Sequence, residues 1–194
     1  MVRPALRSLA LAAGLVAGLA VAHPAAQESM SLDQMIVAAP AIVVATVESR
    51  RAEYEYYGSS RLIITKVTLR VEQSIKGSAP RTVVVEVLGG TIGDQTLHVS
   101  HVPEFRVGDR DVLFLSNAPH AVSPLVGSDQ GRFRVLADND TGTPRVVTAG
   151  FEPLTAVAQV GAERATVARR LADALSLDDF ITTVRDRSRA LGVR

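Results

Sequence analysis

Cysteine is absent from all 194 residues. That excludes disulfide staples, thiolate metal sites, cysteine nucleophiles and iron–sulfur clusters, and it removes the anchor a lipoprotein needs. Tryptophan is absent too, and aromatic residues make up 4% of the chain, so any core must be built mainly from aliphatic side chains. Neither charge sign dominates: 21 basic residues face 20 acidic ones. Removing Arg3 and Arg7 leaves 19 basic against the same 20 acidic, which moves the formal net charge from +1 to −1. A phosphate backbone demands a basic surplus, so nucleic acid is not an expected partner.

What is present begins with an address. Arg3 and Arg7 precede residues 9–22, an apolar run free of charge that closes on Ala20-Val21-Ala22. Positive start, apolar middle and small-residue end are the pattern of a cleaved secretory signal. The run is shorter than the ~20 residues a bilayer span requires. The expectation is a periplasmic or secreted protein with signal peptide 1–22 and no membrane span after cleavage. The remainder is long enough for one domain with its own core.

Ser31-Leu32-Asp33-Gln34 carries a capping-box pattern and Pro40 a stop, so residues 23–40 are expected to hold a short helix. Residues 41–49 (AIVVATVES) are rich in β-branched side chains and read as a strand. A polar link over 50–60 follows. From 63 to 75 the periodicity is clearest: Ile63, Thr65, Val67, Leu69, Val71 and Ile75 share one face, and Lys66, Thr68, Arg70, Glu72, Ser74 and Lys76 the other. Residues 76–80 form a turn, and 81–88 return as a third strand before Gly89-Gly90 interrupts. Residues 96–100 and 111–115 read as further strands, and 132–136 with 145–148 flank the turn residues 138–142. The tail is expected to be helical over 162–175 and again after Ser176, where Leu177, Phe180, Ile181, Val184 and Leu191 recur at helical spacing. The fold class expected is mainly β: an OB-like closed antiparallel β-barrel over 41–150, with a short N-terminal helix and a C-terminal helical tail, 151–194, packed on it.

The succession IVVATV, VTLRVEQSIKG, VVVEVLGG, FRVGDRDVLFL and QGRFRV resembles an uncharacterised family of exported bacterial proteins over residues 41–136. More distantly, the order of short helix, strands ending in IKG, barrel and terminal helices resembles the netrin-type OB barrel of tissue inhibitors of metalloproteinases. That likeness implies architecture. Those inhibitors chelate zinc through an N-terminal cysteine, which this chain lacks, so it carries over no inhibitory residue.

Chemistry finds few footholds. His98 and His101 lie three apart in a strand-and-loop region, where that offset points to opposite faces. An N-terminal His23 brace would need a second histidine, from His98, His101 or His120, and a disordered terminus explains His23 more simply. Residues 138–142 miss the calcium-loop spacing and read as a hairpin turn. No G-x-S-x-G elbow occurs, Gly89-Gly90 lacks the helix and lysine of a phosphate loop, and Asp178-Asp179 suit a helix start. No catalytic residue, metal ligand or cofactor is therefore assigned. The three tyrosines, Tyr54, Tyr56 and Tyr57, cluster in four residues flanked by Arg50, Arg51 and Arg61. They form the candidate binding surface, with rim closure as the competing role. The functional expectation is a non-catalytic binding or interaction module of the cell envelope, engaging an extracytoplasmic protein such as a peptidase. The alternative is a small metal-binding protein or hydrolase using His98, His101 or His120.

Overall fold

A computed structural model describes residues 29–57, 59–117, 122–162 and 170–193 of the chain. The expected signal segment 1–22, His23 and His120 lie outside those residues, as do 163–169 of the expected helical stretch 162–175. At the amino end the capping signal acts as read. Ser31 Oγ accepts from the Gln34 N–H at 3.3 Å, and Gln34 Oε1 accepts from the Ser31 N–H at 2.7 Å. This reciprocal cap starts helix α1, Leu32–Ala38, which ends before Pro40.

Two 17-residue strands, β1 (Ala41–Tyr57) and β2 (Ser60–Lys76), form a long hairpin. The remaining strands are β3 (Thr82–Leu88), β4 (Gly90–Ile92), β5 (Gln95–Leu97), β6 (Arg110–Leu115), β7 (Arg132–Ala137) and β8 (Pro144–Thr148). Six of them make an antiparallel sheet in the order β3-β2-β1-β6-β7-β8, while β4 and β5 pair as a separate ribbon. The residues read as a polar link, 50–57, are strand. Their polarity marks a ribbon wet on one side, and the reversal is confined to the few residues between Tyr57 and Ser60.

Among the described residues the sheet does not close on itself; β3 and β8 are its outer strands. The far edge of β8 is covered, because the Val146 N–H donates to the Leu175 carbonyl and the Val146 carbonyl accepts from the Leu154 N–H. The far edge of β3 is met at one end, by the Leu88 N–H donating to the Val122 carbonyl at 3.2 Å.

Both faces of the central strands are buried, so neighbouring residues feed different cores. Ile42, Val44, Val112, Phe114, Phe133 and Val146 pack against Met35 and Ile36 of α1 and against Phe180, Ile181 and Val184 of helix α2, Leu177–Ala190. Val43, Ala45, Val47, Val67, Leu69, Val85, Val87 and Leu113 line the opposite, concave side, which Phe105 and Leu125 help to fill. In α2, Ser176 caps the first turn by accepting from the Asp179 N–H, and Leu177, Phe180, Ile181 and Val184 form the buried stripe. Leu191 leaves that stripe as the residue ending the helix, and Ser188 takes the inward place. The described end of the expected 162–175 helix is a single tight turn at Leu171–Asp173.

The strict alternation expected over 63–75 breaks near its end. Ile42 pairs with Lys76 but Val43 with Ser74, and Val44 pairs with Gln73 but Ala45 with Val71, so β2 twice spends an extra residue. These bulges turn Ile75 into the helix-side core, away from Val67 and Leu69. Lys76 keeps the face that the alternation gave it, beside Ile42, and is buried there because α1 packs over that end of the strand. Gly77 follows at a φ of +67°, so close to Pro40 that a Cβ would collide with its carbonyl oxygen.

Candidate functional site

A cleft of about 410 Å³ lies between the concave side of the β1–β2 ribbon and the β4–β5 ribbon. Its walls include Arg50, Thr65, Val67, His98, Glu104 and Phe105. A bulge opens it: Val47 pairs with Leu69 but Ser49 with Thr68, so β1 gains a residue there. Past the bulge, Arg50 and Ala52 face the cleft and Tyr54 continues on the same side.

The roof is held by close backbone approach. Thr65 Oγ1 donates to the Gly89 carbonyl at 2.6 Å. Gly90, at a φ of +135°, sits where a Cβ would run into Thr65 Oγ1 and crowd Ala52. The Gly-Gly pair is therefore what lets β4 cross over the hairpin. Two residues along β1 from Ala52, Tyr54 donates its hydroxyl proton to Gln95 Oε1 at 2.7 Å, tying β1 to β5. The Arg61 guanidinium lies over the Tyr54 ring, 4.2 Å from its centre.

The cleft floor rests on a charged cluster buried behind it. Arg132 donates through Nε and Nη2 to Asp111 Oδ2, at 3.1 and 2.9 Å, and through Nη2 to Asp109 Oδ2 at 2.7 Å. Its Nη1 donates to the Glu104 carbonyl, and its guanidinium lies 4.6 Å from the centre of the Phe105 ring. Arg134 completes the cluster by donating to Asp109 Oδ1. Arg50 Nη1 donates to the Phe105 carbonyl at 3.1 Å from the cleft side. Loop residues Glu104 and Phe105 are thus clamped from both directions. Burial pushes the Asp111 carboxyl above its ordinary range, against the opposing pull of Arg132 and Arg134.

The structure divides the residues expected to form the binding surface. Tyr54 is part-buried and serves the rim; Tyr56 is 73% exposed and pairs in register with Arg61. Tyr57 ends β1 opposite Ser60, and its side chain lies outside what is described. Arg51 does not join them. Strand alternation turns it to the convex side, opposite Lys66, where Lys66 is bonded by Glu53 and Glu55.

His98 is exposed at the cleft wall, and His101 reverses the chain with a φ of +60°. Among the described residues no three histidine or acidic side chains gather as a metal site would need. No described helix is long and apolar enough to cross a membrane.

Sequence reasoning missed Glu104 and the Asp109–Asp111–Arg132–Arg134 cluster, and it read Arg50 as a flank of the tyrosines, whereas Arg50 faces the cleft and bonds the Phe105 carbonyl. A signal for the cluster existed: Asp109 and Asp111, like Arg132 and Arg134, are spaced two apart beside apolar strand residues, which places each pair on one face. Comparison with known proteins finds no matching family model, no matching curated protein and no matching solved structure.

Proposed function

We propose that the chain is an exported, non-catalytic interaction module of the cell envelope, which engages an extracytoplasmic protein such as a peptidase through the mouth of the cleft. The observation carrying this reading is the Tyr54–Arg61 stack beside the exposed Tyr56, a rigid aromatic and cationic platform at the edge of a concave site. Tyrosine offers large contact area at small entropic cost, and aromatic and arginine side chains concentrate binding energy at interfaces. Export rests on the signal pattern of residues 1–22. The scaffold is read as an opened OB-like barrel, because β3, β2, β1 and β6 curl around the concave core and the segment at Val122 and Leu125 reaches back to β3.

The test is a photo-crosslinking amino acid at position 56 in cells that make the protein, with position 37, exposed on α1, as control. One envelope protein should be trapped from position 56 and not from position 37. Arg61→Glu should abolish the adduct while leaving the melting temperature nearly unchanged. Equal labelling from both positions, or none from position 56, would overturn the reading.

A further inference from the structure

The outer edge of β3 carries a second inference, separate from the cleft. Backbone bonding assigns each residue of β3 a direction. Val71 donates its N–H to the Arg81 carbonyl, and Gly89 donates to the Ile63 carbonyl, so odd-numbered positions turn their backbone groups toward β2. Leu88 donates away from β2, to Val122. By the alternation of an antiparallel ladder, Thr82, Val84 and Glu86 also present their N–H and C=O groups outward. Among the described residues those groups meet no backbone partner across the seam.

The space they face is a groove of about 630 Å³, walled on its far side by Leu115, Asn117, Ser123 and Pro124. Two exposed apolar side chains flank it, Val84 at 56% and Val122 at 46%. β8, the other outer strand, has its edge bonded by chain segments. Among the described residues β3 is bonded on that edge only at Leu88, and its ladder has no proline or bulge to discourage pairing.

Charge selects what could fill the seam. Glu86 stands on β3 itself, and Glu53, Glu55 and Glu86 share the one ammonium of Lys66. Lys66 and Arg51 face these three carboxylates, and Lys66 lies closest to Glu53 and Glu55, which leaves Glu86, at 3.8 Å from its ammonium, the least compensated. We propose that the β3 seam accepts an extended, basic segment of a partner polypeptide as an added strand. Main-chain hydrogen bonds to Val84 and Glu86 would supply affinity, and lysine or arginine side chains facing Glu86 the selectivity.

The probe is a fluorescent heptapeptide, acetyl-Lys-Val-Thr-Val-Lys-Val-Thr-amide, titrated by anisotropy against the mature protein. Two analogues carry N-methyl groups on alternate residues, one set for each parity. An added strand turns one parity toward β3, so one analogue should lose about tenfold or more in affinity while the other is affected far less. Replacing both lysines by glutamate should weaken binding, and Glu86→Lys in the protein should reverse that preference. Val84→Pro removes an outward donor from an edge position and should abolish binding without unfolding the chain, as far-ultraviolet circular dichroism would report.

Equal affinity of the two N-methylated peptides would overturn the proposal, since contact would then run through side chains alone. No saturable binding of the parent peptide at millimolar concentration would also overturn it. A concentration-dependent dimer lost in Val84→Pro would replace the partner segment with a second copy of this chain. Arg61→Glu and the position-56 probe lie outside this groove, so failure of the cleft reading leaves these outcomes untouched.

Discussion

Lys76, the last residue of β2, donates its ammonium to the Ile36 carbonyl at 2.6 Å, in the final turn of α1. A second donation, also 2.6 Å, goes to the Ala39 carbonyl just past the helix. Helix α1 has no basic residue in its own last turn, so its free carbonyls are capped from the sheet. The three residues at the end of β2 thus have three separate tasks: Ile75 fills the helix-side core, Lys76 caps α1, and Gly77 lets the chain pass Pro40. Burial lowers the Lys76 ammonium from the ordinary lysine range, and the two carbonyls are its compensation.

Lys76→Met keeps most of the length of the side chain and removes its donors. Two acceptors are then left in a buried place, and the expected loss is about 1–3 kcal/mol in urea unfolding. Lys76→Gln, which retains an N–H donor, should recover part of it. A Lys76→Met variant as stable as the parent would show that water serves these carbonyls equally well.

Lys76 also shows where sequence reading reaches its limit. The alternation of β2 correctly placed Val67 and Leu69 inside, because period two is a local property of an extended backbone. It failed at Ile75 because the bulges are set by pairing with β1, some thirty residues away in sequence, and at Lys76 because α1 covers that end of the wet face. The tyrosines were legible as a cluster but not as roles: Tyr54 is tied up by Gln95, which only the crossing of β4 brings near. Helix α1 was fully legible, since cap and stop lie within its own ten residues. The buried charges were the least legible, because a polar residue in a strand reads as solvent-facing unless its partner is known.

The Asp111–Arg132 pair is expected to behave as a unit. Asp111 is fully buried and Arg132 nearly so. Asp111→Asn leaves the guanidinium in place without its main counter-charge, and breaking a buried pair in this way costs about 3–5 kcal/mol. Replacing both, as Asp111→Leu with Arg132→Met, removes the uncompensated charge and should restore roughly half of that loss or more. Glu104 and Phe105 would then lose their clamp, and faster amide hydrogen exchange across 102–107 should report it. A double variant less stable than Asp111→Asn would mean that the clamp matters more to the fold than the charge balance does.

Asp138 gives a pH dependence with a definite sign. Its Oδ1 accepts from the N–H groups of Thr141 and Asp140, each at 3.0 Å, inside the β7–β8 turn. Those bonds favour the charged carboxylate and hold it below the ordinary aspartate range. A folded-state value below the unfolded one means that the unfolded chain binds more protons in the interval between them. The contribution of Asp138 is therefore present at neutral pH, above the unfolded value of 3.8, and is lost as pH falls through the folded value. Substituting Asp138 isolates this contribution. Asp138→Ala should melt below the parent at neutral pH, with the gap narrowing steadily under acid. Asp138→Asn keeps an acceptor for both N–H groups, so it should sit between them at neutral pH and match the parent once both are uncharged. A gap for Asp138→Ala that stays constant from neutral pH down to strong acid would show that the turn is held by shape and not by the carboxylate.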